Sequence, residues 1–287
     1  MTLNLTLVSP NLIVQTSDFR LTAGREIRSH TAQKQTVLQY RDWSGLVCYT
    51  GIAQWGDHDT AAWLDQVLSH PAGQRSPQDI ADTLARKGRA WLRRIPEEHR
   101  VHAFTLAAFE QGRPTVYLVS NVMRPDGSWK PARPAAFSCY RLQPEQPWCL
   151  VTGYASAVDS GQKASLEALM EAGTSPAGLR RLAAEASRAA AGRAENTVSE
   201  ECVAAHLTPG GAGESEVFGN LPARFLPSGI INGRLVAPRL VVDEGDGSRR
   251  LVGAEWHAEP GGAVLVMTGG YRRLDQQQGA GWRDTDD

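Results

Sequence analysis

From Leu3 onward apolar and polar residues take turns. Leu3, Leu5 and Leu7 alternate with Asn4, Thr6 and Val8, the two-residue period of a strand with one face in a core. Ser9-Pro10-Asn11 is a turn cluster, and Leu12–Thr16 reads as the returning strand of a hairpin. Because the two strands have comparable length, the hairpin brings Asp18 back beside Thr2. A basic, polar stretch around Arg25–His30 follows. Strands are then expected at Thr36–Tyr40 and Leu46–Tyr49, the second running into Thr50-Gly51-Ile52-Ala53.

The period then lengthens. Asp59 or Thr60 can cap a helix whose stripe is Trp63, Leu64, Val67 and Leu68, and His70-Pro71 stops it. Ser76-Pro77 opens a second helix with a capping oxygen and a proline at its first position. Ile80, Leu84, Trp91 and Leu92 fall on one face of it; Arg86, Lys87, Arg89, Arg93 and Arg94 make the other, read as a solvated face. Strand character returns at Val101–Phe109, Thr115–Met123, Ala136–Leu142 and Cys149–Gly153. Two further helices follow. Asp159 to Gly173 presents Leu166, Leu169 and Met170, with Gly173 as its stop. Ser175-Pro176 starts the other, with Leu179, Leu182, Ala183 and Ala186 as a stripe suited to close packing, and the short gap predicts an antiparallel pair.

Val203–Leu207 resumes strand character. Residues 208–234, rich in glycine and proline, are expected to be an extended loop. A hairpin at Arg239–Val242 and Arg250–Trp256 and a strand at Ala263–Thr268 make a β extension, and 275–287 is expected to be disordered. Strands and helices in segregated blocks place the chain in the α+β class.

Composition narrows the function classes. With 287 residues there is room for one large domain or two small ones, and the formal charge of −1 lacks the basic excess of a nucleic-acid footprint. The longest apolar stretches, such as Leu46–Ala53 and Ala263–Thr268, fall short of the roughly 20 residues a spanning helix needs. The N-terminus has neither the basic n-region nor the apolar core of a secretory signal, so a cytoplasmic location without membrane or nucleic-acid partners is expected. Cys48, Cys139, Cys149 and Cys202 show no C-x-x-C spacing and read as buried thiols. Asp57-His58-Asp59 is metal-like in composition but stands at a helix start, where acids are expected anyway. Gly210 to Gly213 lacks the strand-then-helix setting of a phosphate loop, and no Gly-x-Ser-x-Gly elbow occurs. Neither metal nor cofactor is predicted.

The candidate chemistry lies in the opening stretch. Thr2 follows the initiator methionine, and a small second residue is what methionine aminopeptidases tolerate. Asp18, with Arg20, stands sixteen residues after Thr2, and Lys34 stands thirty-two after it. Lysine is scarce: of 30 basic residues only Lys34, Lys87, Lys130 and Lys163 are lysine. Arginine would serve on most solvated surfaces, but its guanidinium cannot share a proton with a nucleophile.

A threonine followed by Asp-x-Arg and a lysine at these two offsets resembles the proteasome β-subunit branch of the N-terminal nucleophile (Ntn) hydrolases. The resemblance covers roughly residues 2–207, strongly over the first 34 and by element order afterwards. It implies a four-layer αββα sandwich over 1–207, with 208–274 as a loop and C-terminal β extension packed on it. It also implies a threonine-type hydrolase of peptide or other amide bonds, active after removal of Met1, with Thr2, Asp18 and Lys34 as the catalytic group. Arg20 is then an ion-pair partner of the site. Gly51 would offer an oxyanion N–H, about three residues later than a gapless match.

Two supporting positions depart from the family. Its Asp-x-x-Ser corresponds here to Asn196 through Ser199, with an amide for the carboxylate. Its strand-end Ser-Gly corresponds to Gly153 through Ser156, with Tyr154 in the serine position. These departures support the alternative of a non-catalytic proteasome-like binding or assembly module. A peptide or small amide substrate and a homo-oligomer are the partners the resemblance implies.

Overall fold

The computed structural model describes residues 2–23, 26–30, 32–69, 75–194, 197–219 and 227–236, together with the strand backbone of 241–243, 249–251, 254–259, 262–267, 270–274 and 282–284. Four hairpins open the chain: β1 (Leu3–Ser9) with β2 (Leu12–Asp18), β3 (Leu21–Ala23) with β4 (Glu26–Ser29), β5 (Gln35–Gln39) with β6 (Trp43–Gly51), and β7 (Gln54–Trp55) with β8 (His58–Asp59). Helices α1 (Thr60–Leu68) and α2 (Pro77–Leu92) precede β9 (His102–Glu110), β10 (Arg113–Ser120), β11 (Ser138–Leu142) and β12 (Trp148–Gly153). Then come α3 (Ser160–Glu171), α4 (Pro176–Arg193), β13 (Cys202–Leu207), β14 (Gly213–Phe218), β15 (Ser228–Ile231) and β16 (Arg234–Val236). β17 (Val241–Asp243) pairs with β18 (Arg249–Leu251), and β19 (Ala254–Glu259), β20 (Gly262–Met267), β21 (Gly270–Leu274) and β22 (Trp282–Asp284) follow.

The fold is α+β. One sheet runs β12-β1-β2-β13-β14-β19-β20-β21-β22 and the other β11-β10-β9-β6-β5-β15-β16. β1 therefore lies inside its sheet, with Leu3 opposite Gly153 on one side and Asn4 opposite Ser17 on the other. Leu3, Leu5, Leu7 and Val14 pack with Leu166, Met170, Leu179 and Ala183 of α3 and α4. Val47, Phe104, Leu106 and Tyr117 pack with Leu64, Leu68, Ile80 and Leu84 of α1 and α2. A third cluster takes Val8, Ile13 and Leu207 from the first sheet and Val37, Leu46 and Phe109 from the second.

The helix starts obey local chemistry. Asp59 caps α1, and capping boxes open α2 (Ser76 with Asp79) and α3 (Asp159 with Gln162). Pro77 and Pro176 occupy first-turn positions where no amide donor is needed. The basic face of α2 is exposed, as its periodicity predicts. No helix among the described residues is long and apolar enough to cross a membrane.

Three expectations change. First, every residue of β1 and β2 is buried, so their polar positions do not face solvent. Gln15 Nε2 donates to Thr6 Oγ1 at 3.2 Å and to the Thr105 carbonyl of the other sheet at 3.4 Å, and Gln35 Nε2 donates to the Gln15 carbonyl at 3.0 Å. The amide nitrogens of Gln15 and Gln35 are accommodated there because they find acceptors.

Second, 208–234 is not simply a loop. β14 lies beside β13, and β15 lies parallel to β5 with Ser228 opposite Thr36. Gly213 is needed for the close approach, since a Cβ there would stand 2.3 Å from the His206 carbonyl. Arg180 of α4, buried to 2%, binds Glu214 at 2.5 Å and Glu216 at 3.4 Å, which ties β14 to the helical side. The basic stretch 25–30 likewise contains a short strand, and within 275–287 Trp282–Asp284 pairs with β21; the other tail residues lie outside the described set. Third, Cys139 is exposed on edge strand β11, while Cys48, Cys149 and Cys202 are buried.

Ile230 is fully buried in the cluster under α1 and α2. Ile230→Ala is expected to cost about 2–5 kcal/mol, read from urea denaturation. An unchanged midpoint would show that β15 carries none of the core.

Candidate functional site

β2 delivers Asp18 to the interior, where it stands in register with Cys202 of β13. Its carboxylate accepts four hydrogen bonds. Oδ1 takes Lys34 Nζ at 2.8 Å and the Leu3 N–H at 3.0 Å; Oδ2 takes the N–H of Arg20 at 3.0 Å and of Ser199 at 3.2 Å. Such saturation satisfies the acceptor capacity of a buried carboxylate.

Lys34 immediately precedes β5, and its carbonyl accepts from the Tyr49 N–H at 3.1 Å. Its ammonium also donates to the Arg20 carbonyl at 2.5 Å, and both side chains of the Asp18–Lys34 pair are wholly buried. Burial pulls the Lys34 amine below its ordinary value. The charge and hydrogen bond of Asp18 oppose that shift, and the Arg20 charge adds to it.

Thr2 adjoins this pair through one peptide: the N–H of the next residue binds the same carboxylate oxygen as Lys34. Thr2 is 2% exposed, and its carbonyl accepts from the Tyr154 N–H at 2.9 Å. Its hydroxyl has no hydrogen bond among the described residues, so Lys34 reaches Asp18 and Arg20 and not Thr2 Oγ1. Gly153 is packed against Thr2. At φ +90° a Cβ on it would stand 1.8 Å from the Thr2 carbonyl oxygen and 2.7 Å from Thr50 Oγ1.

The supporting residues divide. Ser199 belongs to the cluster: its Oγ accepts from the Phe19 N–H at 3.1 Å and donates to the Glu201 carbonyl at 2.6 Å. Arg20 gives its backbone N–H to Asp18 and its carbonyl to Lys34, and its Nη1 donates to the Val198 carbonyl at 3.0 Å. Asn196 lies outside the described residues. Gly51 ends β6 at φ +100°, and a Cβ would stand 1.9 Å from the Val101 carbonyl; this close pass by itself demands glycine there. Ser156 is exposed on the single turn Ala155–Ala157, and no hydrogen bond ties it to Asp18 or Lys34.

Other contributors were not singled out from the sequence. Asn4 is fully buried; its Nδ2 donates to the Tyr49 carbonyl at 3.0 Å and Thr152 Oγ1 at 3.3 Å, while Ser17 Oγ donates to Asn4 Oδ1 at 2.7 Å. It therefore locks the strand of Thr2 to the strand that ends in Thr50 and Gly51. Thr50, 4% exposed, turns its hydroxyl toward the same junction. The available signal was weak: a polar residue in an alternating strand normally means solvent. Among the described residues no three His, Cys, Asp or Glu side chains gather as metal ligands. No protein-family model matches the sequence, and no curated protein matches it.

Proposed function

We propose that the chain is a threonine-type N-terminal nucleophile hydrolase of peptide or other amide bonds, similar to proteasome β-subunits, after removal of Met1. One observation carries this reading: Asp18 Oδ1 is shared by the buried Lys34 ammonium and the N–H next to Thr2. In the same reading the two sheets, each backed by a helix pair, form the four-layer αββα sandwich of Ntn hydrolases.

The chemistry follows from those groups. A free α-amine with a pKa near ~7.7–8.0 can take the Thr2 hydroxyl proton near neutral pH. The Lys34 cation keeps that amine neutral and stabilises the developing alkoxide, and Asp18 holds the lysine in place. Thr2 Oγ bonds to the amide carbon, the C–N bond breaks, and the amine passes the proton to the leaving nitrogen. Water then hydrolyses the ester. The Gly51 N–H is the assigned oxyanion donor. A cytoplasmic homo-oligomer is the proposed setting.

A non-catalytic binding or assembly module is the second reading. It is favoured by the Thr2 hydroxyl, which receives no bond from Lys34, and by Ser156, which stands exposed. Intact mass and turnover separate the two. The hydrolase should be isolated without Met1, and Thr2→Ala should lower hydrolysis of peptide amides by about a thousandfold or more. Retained Met1, or full activity in Thr2→Ala, sinks the hydrolase.

A further inference from the structure

β11 and β12 stand at the ends of their sheets, and residues 143–147 cross from one to the other. A groove of about 660 Å³ opens at this crossing. Its floor is Leu142, the last residue of β11, and Trp148, the first of β12. Both are partly buried against the cluster between the sheets. Two loops complete the lining: Pro125 and Asp126 come from the turn after β10, Pro144 and Glu145 from the crossing itself. The groove is remote from Thr2. Val8 stands opposite Trp148 and Leu3 opposite Gly153, which separates the two places by about 17 Å of strand at ~3.4 Å per residue.

The charge in the groove is of one sign. Asp126 and Glu145 are exposed, no lysine or arginine lines the groove, and neither carboxylate is ion-paired among the described residues. Arg124 stands nearby in the chain, but its Nη1 donates to Ser128 Oγ at 3.4 Å. Asp126 Oδ1 accepts from the Ser128 N–H at 2.8 Å, a bond that an asparagine could accept as well, so the turn does not need the charge. The apolar part is stiff. Proline side chains lose no rotamer freedom on burial, so covering them costs little order.

The two strand edges beside the groove differ. At β12 the Cys149 N–H donates to Glu167 Oε1 of α3 at 2.9 Å, so a helix side chain already occupies that edge. No strand lies beyond β11 among the described residues. Of the two, only β11 offers unpaired backbone to an incoming chain.

We propose that this groove docks an extended segment of a partner protein that carries an arginine or lysine among proline and aliphatic residues. The backbone of the segment lies along β11, its apolar side chains cover Leu142 and Trp148, and its cation is met by Asp126 and Glu145. An acidic segment would face two like charges. A small cation alone would leave the apolar floor in water. The inference stands whether or not Thr2 is a nucleophile.

The test is fluorescence anisotropy of the full chain with labelled heptapeptides of proline and leucine that carry one central arginine or glutamate. Thr2→Ala is measured beside the parent, so that peptide cleavage cannot enter the result. The arginine peptide should bind at least about tenfold more tightly than the glutamate peptide, and added salt should narrow that ratio. Asp126→Asn combined with Glu145→Lys changes two exposed side chains and keeps the turn, so the thermal midpoint should match the parent's. The same double variant should lose the arginine peptide about tenfold and favour the glutamate one. Equal binding of the two peptides, no binding at millimolar concentration, or an unchanged order in the double variant overturns the proposal. Argininamide that displaces the peptide at equal concentration overturns it in favour of a small-cation site. A dimer of the parent that dissociates in the double variant overturns it in favour of a second copy as the occupant.

Discussion

Lys34→Ala is expected to lower the unfolding free energy by about 3–5 kcal/mol and to abolish turnover. The stability loss arises from what remains. Asp18 would keep its three backbone N–H donors but lose the cation that balances its charge at zero exposure. In the proposed hydrolase activity should disappear for a separate reason, because the group assigned to steady the alkoxide is gone. A second substitution disentangles the two effects. Combining Lys34→Met with Asp18→Asn removes both charges, and much of the lost stability should return, since a buried pair is often worth little against a neutral substitute. Turnover should not return. Urea denaturation read beside hydrolysis of a peptide amide reports both. A Lys34→Ala midpoint equal to the parent's would show that the pair does not act as a buried ion pair.

The second large effect concerns acid. His102 is fully buried between Tyr49, Trp91 and Phe104, with ring centroids at 5.9, 5.2 and 4.5 Å, and neither of its ring nitrogens has a hydrogen-bond partner among the described residues. Burial, with a smaller contribution from nearby His58, pushes the imidazole down to about 3. In the unfolded chain it titrates near ~6.5. Between those values the unfolded state binds the extra proton, so stability falls as pH drops from 6.5 toward 3 and is fully present above that window. One such group removes roughly 1.4 kcal/mol per pH unit, or about 3 kcal/mol by pH 4.5. His206, held down to about 4 by burial and by Arg180, adds a second contribution of the same sign. His102→Phe should therefore flatten the acid limb by about 3 kcal/mol between pH 6.5 and 4.5, measured by urea midpoints at each pH. A limb of unchanged slope would assign the acid lability to other groups.

The contrast between what was readable in the residues and what was not has physical causes. Helix caps are local, so Asp59, Ser76, Asp159 and Ser175 announced α1 to α4 within a residue or two. The hairpin that carries Asp18 back toward Thr2 was equally local, because a turn cluster and two equal runs define it. The link from Asp18 to Lys34 was legible only as spacing; the 2.8 Å bond depends on how β2 and β5 approach each other. Asn4 illustrates the opposite limit. Alternation says which positions share a face, but not whether water or a second sheet covers that face. β14 and β15 were hidden for a further reason. β14 carries two glutamates among its six residues and β15 is only four residues long, so neither makes a clear strand pattern alone, and they are strands because β13 and β5 offer edges to them.

The place of β1 inside its sheet also dictates an order of events during synthesis. Leu3 cannot find its partner until Gly153 has been made, and the β2 edge waits longer still for Cys202. At translation rates of about 5–20 residues per second, the first strand spends roughly 8–30 s without β12. Once β12 docks, Thr2 is 2% exposed. In the proposed hydrolase, removal of Met1 would therefore have to fall within that interval, and high contact order would act as its timer.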